Sequence, residues 1–111
     1  MALRLAKECV MVVIRNVFRV KFGQAKQVLP IFKEGLAIQQ RVAAGTDFSA
    51  RLLTDLTGPF YTVVLELTVP SLAAMESTGP RVMGDPEFQA NYQKLVPFIE
   101  SGHREVFTIV G

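Results

Sequence analysis

The sequence predicts an α+β domain with the element order β-α-β-β-α-β, and three observations carry that reading. Residues 58–68, GPFYTVVLELT, are a turn signal followed by strict alternation: Tyr61, Val63, Leu65 and Leu67 are apolar-bodied, whereas Thr62, Val64, Glu66 and Thr68 are mixed. That is the pattern of a central strand with one packed and one partly wet face. Residues 25–43 space Ala25, Val28, Phe32, Leu36 and Ala43 at intervals of three, four and seven, one face of a helix. Asp85-Pro86-Glu87 is a helix start, with an N-cap, a proline at the first helical position and an acid beside the positive end of the helix. Joined by short, unknotted connections, the elements give an antiparallel four-stranded sheet of order 4-1-3-2 with both helices on one face.

The elements follow in order. The first strand spans about residues 10–21, with Val12, Ile14, Phe18 and Val20 on one side and Arg15 and Arg19 beside Val13 and Val17 on the other. Gly23 ends it, and a helix runs to about Ala44, where Gly45 is placed as a C-cap. Pro30 removes a helical hydrogen bond, so the helix either starts near Gln27 or is kinked. A second stripe of Ile31, Ile38 and Val42 leaves this helix apolar over more than one face.

Residues 48–56 alternate as a second strand, and Leu56-Thr57-Gly58-Pro59 turns it back into the central one. Val69-Pro70-Ser71 opens a short helix that is expected to end near Ser77, interrupted by Gly79-Pro80. The helix after Asp85 carries Phe88, Tyr92, Leu95, Val96 and Ile99 as its apolar stripe, and Ser101-Gly102 closes it. Residues 103–110 form the last strand, and alternation leaves open which of its two sets faces the helices.

Composition narrows the function classes. A chain of 111 residues suits one domain with one layer of helices on one sheet. The net charge of +2 is scattered with no basic run, which argues against a nucleic-acid surface. A single cysteine, Cys9, excludes an internal disulfide, and a single histidine, His103, leaves no all-protein metal cage; both suit a reducing cytoplasm. The opening MALRLAKECVMVVI is basic and apolar, but Glu8, Arg15 and Arg19 interrupt it and no small-residue cleavage site follows. It reads as an extension over residues 1–9 leading into one domain over residues 10–111. No stretch approaches the roughly 20 apolar residues of a membrane span.

With helices on one side only, the other side of the sheet must meet water or another molecule. Its expected members are Val13, Arg15, Val17, Arg19, Arg51, Leu53, Asp55, Thr62, Val64 and Glu66. This face is half apolar, too greasy to stay wet across a whole sheet. Two copies facing each other across a two-fold axis would bury the apolar half and enclose the polar half in a lumen, so a homodimer through the open sheet face is expected.

Residues 14–25 (IRNVFRVKFGQA), 58–67 (GPFYTVVLEL) and 82–107 (VMGDPEFQANYQKLVPFIESGHREVF) resemble the NIPSNAP-like branch of the dimeric α/β-barrel superfamily, whose subunits have the ferredoxin-like fold. The resemblance implies a homodimer whose two sheets form one barrel. The superfamily includes cofactor-independent monooxygenases, haem-degrading enzymes, lactone isomerases and members of no known activity, and fold does not choose among them. Its haem-degrading members hold iron through a histidine before the last strand. This chain has none between Val69 and Gly102, so no cofactor is expected. Cofactor-independent oxygenation draws on Asn, Trp and Tyr; Asn16 and Tyr61 fall on the helix-covered face by alternation, and tryptophan is absent.

Within the expected lumen, Arg15, Arg19 and Arg51, with Asp55 and Glu66, are candidate ligand-binding residues, because a guanidinium offers a planar fork of donors to a carboxylate or phosphate. The alternative is that these cations are paired with the two carboxylates or solvated. His103 and Glu66 are the candidate proton-transfer groups, since imidazole and carboxylate are the usual general bases; a loop-edge histidine is otherwise simply exposed. The sequence therefore supports a binding protein for a small, partly apolar anionic molecule, or a small metal-free enzyme of monooxygenase or isomerase type using the same lumen.

Overall fold

The computed structural model describes residues 11–110; the expected extension over residues 1–9, with Cys9, lies outside the described residues. The elements are β1 (Val12–Val20), α1 (Ala25–Val42), β2 (Ser49–Thr54), β3 (Thr62–Val69), α2 (Leu72–Met83), α3 (Pro86–Leu95), a single 3-10 turn (Val96–Phe98) and β4 (Ile99–Thr108). The sheet has the order β2-β3-β1-β4 with every neighbouring pair antiparallel. This is the expected 4-1-3-2 order read from the other edge, and the fold is α+β and ferredoxin-like with a second helical segment in two pieces.

Alternation decides which side of each strand is buried. Val12, Ile14, Leu67 and Val69 form one core cluster with Ala50, Leu65 and Met75 against it. Val20, Val63, Val28, Phe32 and Leu95 form a second, which Phe18, Tyr61 and Ile99 flank. The rings of Phe18 and Phe32 lie 5.1 Å apart, the contact that holds β1 to α1. The anchor of α1 is Val28, which has no exposed surface at all.

Several local expectations are corrected, among them the closure of the last helix at Ser101-Gly102, which lies inside β4 because that strand already begins at Ile99. α1 starts at Ala25 rather than Gln27, with Pro30 inside it; Val28 and Phe32 are buried on either side of that proline, and their packing holds the helix together across the missing hydrogen bond. Its C-cap is Ala43; Gly45 follows at φ +92, as the chain turns toward β2. Gly79-Pro80 does not stop α2, which continues to Met83. Buried Val82 docks its far end, the Arg81 side chain donates to the Val42 carbonyl, and the break falls instead at Gly84-Asp85. The Asp85 carboxylate then accepts from the Phe88 N–H at 2.9 Å and starts α3, as its sequence indicates.

Residues 55–61 connect β2 to β3. Tyr61 sits at φ +60, a left-handed backbone that is uncommon for a bulky residue. Its carbonyl accepts from the Val20 N–H at 2.8 Å, and its ring meets Phe22 edge-on, contacts that hold it there.

Candidate ligand-binding site

The two sides of the sheet present different chemistry. On the open side the register aligns Arg51 with Glu66, Glu66 with Arg15, and Arg15 with Glu105, so alternating charges cross all four strands in one row. Arg51 binds Glu66 at 2.6 Å, and Arg15 lies 3.9 Å from Glu66 and 3.4 Å from Glu105. His103 approaches Glu105 at 3.2 Å on the same side. The neighbouring row is Leu53, Val64, Val17 and His103, mostly apolar.

The expected lumen residues are thus brought onto one face, and Arg15, Arg51 and Glu66 pair with one another. Asp55 is taken up elsewhere: its carboxylate accepts from the Thr62 N–H and closes the β2–β3 turn. Arg19 stands apart, with a buried Nε that has no hydrogen-bond partner among the described residues. Among the described residues there is no group of three or more His, Cys, Asp or Glu side chains placed to hold a metal ion.

The large cavity lies on the other side, between sheet and helices. It has a volume of about 1040 Å³, at the upper end of what small-molecule sites offer. Ile14, Phe18, Leu65 and Leu67 form its sheet wall, Phe32 and Leu36 come from α1, Met75 and Val82 from α2, and Phe88, Tyr92 and Leu95 from α3. The wall is mostly apolar because these are the inward positions of each element.

Few polar groups interrupt that wall. Asn16 on β1 and Arg104 on β4 are directly opposite each other, and the Arg104 Nε donates to Asn16 Oδ1 at 2.7 Å. Arg104 makes no ion pair among the described residues, so most of its donors remain available. Glu76, on exposed surface of α2, is the other charge-bearing side chain of the rim; His103 also borders the cavity, but its ring is on the open side with Glu105. Deeper in, Asn91 is 4 % exposed and its Nδ2 donates to the Ile31 carbonyl of α1 at 3.0 Å.

Arg104 and Asn91 are the two site residues that sequence reasoning missed. Arg104 required the β1–β4 register, which fixes it opposite Asn16. Asn91 carried a signal: it stands three residues after Phe88 and four before Leu95, inside the apolar stripe of α3. Asn16 and Tyr61 fall on the helix-covered face, as alternation indicated.

No protein-family model and no curated protein sequence matches the chain. Solved structures do. A NIPSNAP family protein of unknown function from Agrobacterium tumefaciens superposes with a TM-score of 0.80 at 20% identity, over 92% of this chain and 90% of that one. An uncharacterized NIPSNAP domain protein from Burkholderia xenovorans gives 0.71 at 25% identity, over 90% and 93%. SnoaB, a cofactor-independent oxygenase from Streptomyces nogalater, gives 0.68 at 18% identity, over 92% and 95%. The chain therefore has the fold that NIPSNAP family proteins share with monooxygenase-like ferredoxin folds, and its structural neighbours include members of both groups.

Proposed function

We propose that this protein binds a small, largely apolar molecule with an acidic end in the cavity between its sheet and its helices. One observation carries the reading: Arg104, a cation without an acidic partner among the described residues, stands on the wall of a cavity that is otherwise mostly apolar. A guanidinium already oriented by Asn16 binds a carboxylate with little further loss of side-chain freedom. Cofactor-independent oxygenation or isomerisation of such a molecule is the enzymatic form of the same reading, supported by the fold likeness to SnoaB. Two copies joined through their open sheet faces, in the cytoplasm, are the proposed working assembly.

The test is calorimetric titration with 2-naphthoate and with its neutral analogue 2-naphthylmethanol. Arg104→Met is expected to weaken the acid about tenfold, the scale of one charge-assisted hydrogen bond, and to leave the neutral analogue unchanged. Equal binding of the acid by both proteins would contradict the reading.

A second reading places the anion on the open sheet face, among Arg15, Arg19, Arg51, Asp55 and Glu66. The buried, unpartnered Arg19 Nε favours it. In that case Arg19→Met, and not Arg104→Met, would carry the loss in the same titration, with His103 and Glu66 as the nearby groups able to move a proton.

A further inference from the structure

The strand register gives the cavity a direction. Arg104 on β4 is opposite Asn16 on β1, and Asn16 is opposite Leu65 on β3, so these residues form one row across the sheet. Neighbouring strands are ~4.8 Å apart, which sets the β3 end of the row about 10 Å from the β4 end. β4 is an edge strand and Arg104 is exposed on it, so the charged end of the row is also its wet end. The β3 end is sheltered and aliphatic. There Leu65 and Met75 of α2 pack against the buried cluster that contains Ile14 and Leu67, and all four side chains line the cavity. Between the ends stands Asn16, whose amide oxygen is already taken by the Arg104 Nε at 2.7 Å.

We infer that the ligand is a monocarboxylic acid with an extended aliphatic chain, lying across the strands with its carboxylate on Arg104 and its tail against Leu65 and Met75. An extended saturated chain of about eight carbons covers ~10 Å, so the class is that of medium-chain fatty acids. Met75 suits a flexible tail, because its unbranched thioether adapts to the shape packed against it. The reverse orientation is disfavoured: it sets the carboxylate beside Glu76, which follows Met75 on α2 and also lines the cavity. The inference rests on the cavity being the binding site, and it adds a chain-length requirement that Arg104 alone does not impose. Each methylene laid along the row leaves water for an apolar wall, a gain of about two- to fourfold in affinity.

The experiment is calorimetric titration of the intact protein with straight-chain acids of six, eight and ten carbons, beside 2-naphthoate. Affinity is expected to rise about two- to fourfold per added methylene, with one molecule bound per chain. Met75→Phe fills the β3 end of the row. It is expected to remove the gain from eight to ten carbons while leaving the six-carbon acid, and the loss caused by Arg104→Met, unchanged. Equal affinity for the three acids, with 2-naphthoate still bound and still weakened by Arg104→Met, would overturn the chain assignment alone. A rising series that Met75→Phe leaves untouched would overturn the placement of the tail and with it the inference. No binding of any of the four acids would overturn the cavity reading and this inference together. Because the chain-length series uses the unaltered protein, a variant that fails to fold does not remove the test.

Discussion

At Glu66 two arginines converge, Arg51 from the neighbouring edge strand and Arg15 from the other side. The Glu66 side chain is 11 % exposed while that of Arg51 is 68 % exposed, so the two ends of one ion pair are not equivalent. Glu66→Gln would leave two cations facing each other across a sheltered neutral group and is expected to lower stability by about 1–2 kcal/mol. Arg51→Met, at the wet end, is expected to change it by less than about 1 kcal/mol; urea unfolding of the two variants checks the difference. That these residues share a face was legible in the alternation. Their mutual pairing stood as one of two alternatives, and register decides it by placing Arg51, Glu66, Arg15 and Glu105 in one row. Asn91 escaped for another reason: a hydrophobic stripe is found by its apolar members, and a buried amide inside the stripe looks like a gap in it.

At the scale of the element, the glycines of the helices divide by what surrounds them. A Cβ at Gly79 in α2 would meet nothing within 4 Å, whereas one at Gly35 in α1 would meet the Asn91 amide at 2.9 Å. Both are inside helices, where alanine is intrinsically favoured over glycine by about 1 kcal/mol. Gly79→Ala is therefore expected to stabilise the protein by about 0.5–1 kcal/mol. Gly35→Ala is expected to destabilise it, since displacing Asn91 breaks its bond to Ile31. Thermal melts of the two variants should move in opposite directions. Asp85→Ala is expected to remove about 1 kcal/mol by freeing the Phe88 N–H. The start of α3 was legible because its cap is local, written in Asp85-Pro86-Glu87. The course of α2 through Gly79-Pro80 was not, because tertiary contacts of Val82 and Arg81 override a local helix-breaking signal.

At the scale of the whole molecule, helices on one side of a single sheet leave Val13, Val17, Leu53 and Phe107 on the open face, with Phe107 52 % exposed. In the proposed dimer a second copy covering that face would bury the apolar row and leave the charged row paired within each subunit. Sedimentation at micromolar concentration is expected to show a dimer, and Phe107→Glu is expected to shift it toward the lone subunit; a monomeric unaltered protein would contradict the proposed assembly. The division of the sheet into two faces was readable from period-two alternation. The cavity was not, because its volume is set by how far the helices stand from the sheet, and the side-chain period carries no information about that distance.

The most direct test of the central claim is a crystal structure of the protein with 2-naphthoate. The expected result is ligand density between β1, β4, α1 and α3, with its carboxylate on Arg104. Density on the open sheet face beside Arg19, or a cavity filled only by water at saturating ligand, would contradict it.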